Sequence, residues 1–417
     1  MLSHSLSALS PNYWPFDLEC LPQPAYLVGG AVRDALLGRV SEYLDLDFVV
    51  LAGALKTARK VAEQYHAGFV LLDAERQIAR VVFERATADF AQAEGGSLEV
   101  DLWRRDFRVN AIAYNPRTGE TIDPLDGATD LQQRIIRMVS RSNLEDDPLR
   151  LLRAYRQAAQ LGFAIAPDTL SAIRELAPLL RSIAVERVRT ELGYLLQNPL
   201  GIPWICRAIE DGLLSGWFPT ASDRFDRLAK IEASATTLAT IWPALGGELS
   251  RWVRDTIKTP LLAVAKLAIL VNPDPAIAEG ELMALKYSNV EMKATLALLK
   301  YLPKLQVTTL TQTSVREQYF LFKDLGAMFP ALAVLAVAVG VGTDEISRLV
   351  NRYFNLEDPV AHPTQLVSGN EVMTALNLPR SPLIGKLLLE IQLARIEGKI
   401  TNREEALKWV AELAKTL

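Results

Sequence analysis

The apolar residues of this chain change their period once, near residue 136, and that change bounds the class of fold. Before it, runs rich in β-branched, aromatic and leucine residues at 25–28, 44–51, 69–72, 78–83 and 109–114 read as strands. A short helix is predicted between the first two, at 31–37, ended by Gly38. From Asp147 onward the spacing becomes three and four: Pro148 opens a helix, and Leu149, Leu152, Tyr155 and Ala159 recur on one face. No later segment reads as a run of strands. The expected fold class is α+β, a mixed-sheet head at 1–136 followed by helices alone. Pro203, Pro219, Pro243, Pro273 and the 359–363 stretch are candidate breaks, and the helical part is expected to divide into 137–200, 201–358 and 359–417.

At 417 residues, with half of them hydrophobic and 23% charged, the chain has the balance of a multidomain globular protein. Its longest apolar stretch, 331–341, falls short of the ~20 residues of a bilayer span and reads as a buried helix, so no membrane contact is expected. Residues 1–17 lack a basic segment followed by an apolar core, which makes the cytoplasm the expected location. Cys20 and Cys206 lie outside any metal-ligand spacing and are expected to be packing residues. His4, His66 and His362 are too scattered for an HExxH site or a ready triad.

A net charge of −4 gives no overall attraction for a polyanion, but the average hides a pattern. Every basic residue from Arg104 to Arg156 is Arg, and no Lys occurs from Val61 to Ala229. Arg is the side chain that pairs bidentately with phosphates and base edges. Drift in the choice of basic residue accounts for this equally well on composition alone.

The sharpest local feature is Gly29-Gly30-Ala31-Val32-Arg33-Asp34, followed by Asp45-Leu46-Asp47. Two glycines between a strand and a helix let backbone N–H groups approach a triphosphate, and Arg33, one turn in, can neutralise its charge. Residues i and i+2 of a strand share a face, so Asp45 and Asp47 point together while Leu46 and Phe48 face the core. Adjacent carboxylates repel unless a cation lies between them, and such a pair suits Mg²⁺. A tight turn explains Gly-Gly alone, and a solvated strand end explains the aspartates alone. Together, across a strand–helix–strand unit, they read as a metal and nucleotide site.

These residues resemble the first motif of the class II tRNA nucleotidyltransferase and bacterial poly(A) polymerase family. Arg104-Arg105-Asp106-Phe107-Arg108-Val109-Asn110 resembles that family's RRDFTxN motif, with Arg108 in place of Thr. Asp146-Asp147-Pro148-Leu149-Arg150, continued by Arg153 and Arg156, resembles its ED-x-x-R segment, with Asp146 in place of Glu. Further similarity lies at 122–127, at Val185-Glu186-Arg187 with Glu191, and from Gly369 to Glu405, so that it spans nearly the whole chain. The resemblance implies a polymerase β-type nucleotidyltransferase head followed by helical neck, body and tail. It implies Mg²⁺ on Asp45 and Asp47, nucleotide binding by Gly29, Gly30, Arg33, Arg104, Arg105, Asp106 and Asn110, and a base read by Asp147 and Arg150. Arg153 and Arg156 would meet phosphates or stack on the base. A carboxylate that accepts and a guanidinium that donates can template a base edge, and the resemblance implies that this pair selects C or A and rejects G and U; on the residues alone, Asp147 before Pro148 is more commonly a helix cap. Asp89 is the candidate third catalytic acid, with a surface strand position as the alternative.

The expected partners are CTP, ATP and tRNA, held at its 3′ acceptor end and elbow. A poly(A) polymerase would share all these motifs, and a non-catalytic RNA-binding protein could share the fold. In full CCA-adding members a longer loop rich in charged residues precedes the RRDF motif. Here the connection, 91–103, is short and carries no Arg or Lys. A switch between two bases needs a bistable element. The short connection is similar to that of members adding only the two cytidines, with a second nucleotidyltransferase completing the end; a loop simply trimmed, with the switching element elsewhere in a full CCA- or an A-adding enzyme, is the alternative.

Overall fold

A computed structural model describes residues 8–254, 258–307 and 313–414, so His4 lies outside the described residues. The chain forms two compact units, one ending at Leu214 and one beginning at Ser215.

The first unit is built on a seven-stranded sheet of β1 (Ala25–Val28), β2 (Leu44–Val50), β3 (Gly68–Asp73), β4 (Ile78–Val82), β5 (Ala86–Gln92), β6 (Ala113–Tyr114) and β7 (Thr121–Ile122). Their spatial order is β3-β4-β5-β2-β1-β6-β7. β2 and β5 run parallel; the other neighbours are antiparallel. On β2 the period of two holds as expected: Leu46 and Phe48 are fully buried, while Asp45 and Asp47 take the other face. Phe48 stacks on Phe90 of β5, ring centroids 5.4 Å apart, and Trp14 and Phe16 close over them at 5.0 and 5.7 Å from Phe48. Further along β2 the acidic face is itself covered, where Val28, Val49, Leu102, Ala111 and Ala113 pack together.

The strand expected at 109–114 is shorter than its apolar run. Arg108–Asn110 forms a 3₁₀ turn and only Ala113–Tyr114 pairs in the sheet. Val109, Ala111 and Ile112 are fully buried, so the run records burial rather than an extended ladder. Helices α1 (Gly30–Leu36) and α2 (Ala54–Gln64) cross over between strands, and α3 (Leu98–Trp103) follows β5. After α4 (Gly127–Gln133), β8 (Ile135–Ile136) and α5 (Arg141–Asp146) come α6 (Leu149–Leu161), β9 (Ala164–Ile165), α7 (Pro167–Leu176), α8 (Val185–Gln197) and α9 (Gly201–Glu210). β8 and β9 pair over two residues each, too short to leave a period in the sequence.

Among its described residues the second unit is helical apart from one small antiparallel strand pair. It contains α10 (Phe225–Ile241), α11 (Pro243–Ser250), β10 (Trp252–Arg254), β11 (Thr259–Pro260), α12 (Leu261–Leu270), α13 (Pro275–Ala284), α14 (Asn289–Val307), α15 (Val315–Leu325), α16 (Phe329–Ala338) and α17 (Thr343–Phe354). The last helices, α18 (Gly369–Leu376), α19 (Pro382–Ile396) and α20 (Arg403–Leu413), enclose their own core of Val372, Leu387, Ile391 and Val410. The apolar stretch expected as a buried helix is α16, whose residues from Phe329 to Ala336 are all buried. With α15 it makes a stretch, Val315–Ala338, long and apolar enough to cross a membrane, yet 61% of its apolar window is buried inside the fold, as in a core helix.

Helix α6 carries the arginine series and is fixed from behind. Its fully buried Tyr155 donates to Asp211 at 2.7 Å, and Arg174 of α7 and Arg207 of α9 reach the same carboxylate at 2.7 and 2.8 Å. Burial alone would raise the Asp211 pKa, but the Tyr155 hydroxyl and the two guanidinium groups hold it below the ordinary value. Both arginines are nearly half exposed, which screens their share, so the main loss on removing Asp211 is the orphaned Tyr155 hydroxyl. Asp211→Ala is expected to lower unfolding free energy by about 1–3 kcal/mol in urea melts at neutral pH. A depressed carboxylate contributes fully above its unfolded pKa of about 4 and loses that contribution as pH falls through the folded value. The stability gap between wild type and Asp211→Asn should therefore narrow only below about pH 4.

Candidate active site

Asp45 and Asp47 leave β2 on one face, directly beside Thr87 and Asp89 in the parallel register of β5. Thr87 Oγ1 donates to Asp45 Oδ1 at 2.5 Å. The register that sequence leaves open thus sets Asp89 next to Asp47, and Arg80 of β4 grips both Asp89 oxygens at 2.7 and 2.8 Å. Burial first, then the charges of Asp45 and Asp89, push the Asp47 carboxyl up to about 7, against the lowering influence of Arg105 and Arg80. An acid raised in this way sits where positive charge is wanted. Among the described residues no three His, Cys, Asp or Glu side chains form a metal cluster. The available donor set is therefore the Asp45–Asp47 pair, which fits a hard cation that fills its other positions with water and phosphate.

Gly29 adjoins this pair. Its φ is +72°, and a Cβ there would lie 3.1 Å from Asp47 Oδ2 and 3.3 Å from Arg105 Nη1, so glycine is required for both backbone and space.

The opposite wall is a chain of polar contacts. Arg33 Nη1 donates to Asn110 Oδ1 at 2.8 Å, and its Nε and Nη2 hold Asp34 at 2.9 and 3.0 Å. Asn110 Nδ2 donates to Asp106 at 2.9 Å and to Gln157 of α6 at 3.0 Å. Asp106 is buried, yet Arg153, Asn110 and the Phe107 amide, at 3.2, 2.9 and 2.8 Å, hold its pKa below the usual carboxylate value. Arg105 braces against Asp101 at 2.9 Å. Glu191 of α8 sits between Arg153 and Arg156, and the Arg156 guanidinium lies 5.5 Å from the Tyr194 ring centre.

Gly29, Gly30, Arg33, Asp47, Arg105, Asp106, Asn110, Arg150, Arg153 and Arg156 all line one cleft of about 360 Å³, joined by Gln157. Gln157 was not foreseen; its only sequence signal is a polar residue one turn after Arg153 on the same helix edge. Asp45 lies to the side, in a hollow shared with Asp47, Arg33 and Asp34. Arg104 and Asp147 line an adjoining cavity of about 270 Å³ with Asp146, Arg187, Glu94 and Arg76. Arg150 is the wall common to both. Asp147 does not cap α6: Pro148 occupies the cap position with no side-chain bond. Arg187 holds Asp147 Oδ2 at 3.1 Å, while Asp147 Oδ1 and Arg150 Nε are buried with no hydrogen-bond partner.

Three family models match in sequence order: a poly A polymerase head domain over residues 25–137, a probable RNA and SrmB-binding site of polymerase A over 162–224, and a tRNA nucleotidyltransferase domain 2 over 256–411. The chain is 48% identical to a CC-adding tRNA nucleotidyltransferase of Synechocystis sp., covering 96% of each chain. It is 33% identical to a CC-adding tRNA nucleotidyltransferase of Geobacter sulfurreducens, over 93% of this chain and 91% of that one. The crystal structure of a Bacillus stearothermophilus CCA-adding enzyme in complex with CTP is similar, with a TM-score of 0.69 and 26% identity over 94% of this chain and 93% of the other. Ordered motifs, a shared fold and near-complete coverage at this identity agree: the chain belongs to the tRNA nucleotidyltransferase and poly(A) polymerase family.

Proposed function

We propose that this protein adds cytidines to the 3′ end of tRNA, taking CMP from CTP without a nucleic-acid template and releasing pyrophosphate. One observation carries the nucleotide choice: Asp147 Oδ1 and Arg150 Nε, buried and unpartnered, adjoin the arginine-lined cleft. A buried polar atom without a partner calls for an explanation, and beside an arginine-lined cleft a bound base supplies one. The Watson–Crick edge of cytosine offers an amino donor next to a ring acceptor, the complement of a carboxylate and a guanidinium. Uracil and guanine present a carbonyl and a ring N–H in the reverse order and are rejected. Adenine passes the same test, so this pair alone selects C and A.

The triphosphate occupies the adjoining cleft, close to Gly29 and Gly30, where Arg33, Arg105, Arg153 and Arg156 meet its charge. Asp106, saturated by protein donors, acts by ordering Arg153 and Asn110. Asp45 and Asp47 hold a divalent cation, Mg²⁺ in this reading, which when bound activates the attacking 3′-hydroxyl and stabilises the leaving pyrophosphate. Asp89, tied to Arg80, adds negative charge beside Asp47 from the neighbouring strand, which favours a cation at the pair. The helical remainder grips tRNA at its acceptor end and elbow, by shape and backbone.

The restriction to cytidine is supported by the connection between β5 and Arg104. It is a single 3₁₀ turn, Glu94–Gly96, and the six-residue α3 capped by Ser97, with Glu94 ion-paired to Arg104. Such a compact connection offers no second arrangement with which to recast the pocket for adenine. The 48% identity to a CC-adding relative supports the same reading. The protein would act in the cytoplasm, and the terminal adenosine would fall to a second nucleotidyltransferase.

Asp45→Ala or Asp47→Ala should abolish CMP incorporation while leaving tRNA binding, read by filter retention, within about twofold, because phosphate and backbone contacts carry that affinity. Normal turnover by either variant with Mg²⁺ present would end the two-carboxylate reading. Asp147→Ala should erode discrimination among the four triphosphates by about 1–3 kcal/mol, measured as ratios of kcat/KM. Given tRNA ending at its discriminator base with CTP and ATP together, the wild-type protein should stop two nucleotides later. Efficient labelling of a third position from ATP would refute the cytidine-only reading, and comparable extension of unstructured RNA would favour a poly(A) polymerase.

A further inference from the structure

The consecutive carbonyls of Trp103, Arg104 and Arg105, at the end of α3, are all held by side chains of α5 and α6. Asn143 Nδ2 donates to Trp103 O at 2.7 Å and to Arg105 O at 2.8 Å. Arg150 Nη1 donates to Arg104 O at 3.0 Å and to the backbone carbonyl of Asn143 itself at 2.8 Å. Both Nη1 hydrogens are thereby used, which fixes the guanidinium plane and leaves Nε buried without a partner in a side chain that lines both cavities. Asn143 is buried, lines neither cavity, and is anchored by Ser140 Oγ, the cap of α5, at 3.2 Å from its amide nitrogen.

We propose that Asn143 is a positioning residue for nucleotide choice, setting the orientation of the Arg150 guanidinium through the carbonyls on which that group rests. The inference rests on the reading of Arg150 as a base contact. Removing the Asn143 amide takes the donor from two carbonyls and releases the 103–105 segment, one of the two supports of Nη1. A guanidinium free to turn donates to the carbonyl of uracil or guanine as readily as to a cytosine acceptor, so the excluded bases gain entry.

The test is single-nucleotide incorporation into tRNA lacking its 3′ end, from each of the four triphosphates. It compares wild type, Asn143→Ala, Asn143→Ser, Arg150→Ala and the Asn143→Ala/Arg150→Ala double variant. Asn143→Ala should lower the CTP-to-UTP ratio of kcat/KM by about tenfold or more. Asn143→Ser, which retains one donor, should fall between it and wild type. The double variant should be no less selective than Arg150→Ala, since Asn143 acts through Arg150. Full selectivity in Asn143→Ala alongside lost selectivity in Arg150→Ala overturns the proposal and leaves the base contact standing, as does an additive double variant. Full selectivity in Arg150→Ala overturns the base contact and the proposal with it. Should Asn143→Ala not fold, Asn143→Ser and its double with Arg150→Ala give the same comparison.

Discussion

The architecture of this active site depends on one alternation, the exchange of apolar and acidic residues along β2. Leu46 and Phe48 are drawn into the core by full burial, worth roughly 1.5–3 kcal/mol for each such side chain. Because the period is two, their burial commits Asp45 and Asp47 to the other face. A slip of one residue would bring two carboxylates into the Trp14–Phe16–Phe90 cluster and expel Phe48 to water, so the register admits one solution. The parallel pairing with β5 carries the same choice across, matching Phe48 to Phe90 and Asp47 to Asp89. Apolar packing thus assembles an acidic surface that electrostatics alone would scatter.

Helix α6 solves the complementary problem of holding positive charge still. One face is anchored by Leu151, Leu152, Tyr155 and Ala158, and the Tyr155–Asp211 contact ties that face to α7 and α9. The other edge presents Arg150, Arg153 and Arg156, each braced by a carbonyl or a carboxylate. These braces restrict rotamers in advance, so less side-chain entropy is lost when a triphosphate binds. The cost is partial neutralisation by Glu191 and Asp106, which leaves orientation rather than raw charge as the helix's contribution.

Much of the proposed site was legible because its pieces are local. Gly29-Gly30, the aspartate pair and the Arg150 series each lie in one short segment and read as a site only together, and the change of period near residue 136 announces the end of the large sheet. Asp89 could not be placed without its register, a property of two strands separated by an intervening hairpin. Gln157 and Asn143 are single polar residues in helices, a pattern that usually means a solvated face; only tertiary packing turns them inward. Asp147 read on its residues first as a helix cap, with the base contact implied by resemblance, and the position of Pro148 decides that its side chain does not cap α6. Two-residue strands such as β8 and β9 leave no periodic trace at all.

The meeting point of Gly29, Asp47 and Arg105 has a consequence for descent. With a positive φ and a Cβ crowded between a carboxylate and a guanidinium, position 29 strains under any side chain. Even alanine would strain the backbone and displace one of the two charged groups. A side chain at position 29 would therefore be felt first at the phosphate end of the cleft. Change is cheaper in the connection before α3, where insertion and substitution leave the Gly29–Asp47–Arg105 meeting point undisturbed.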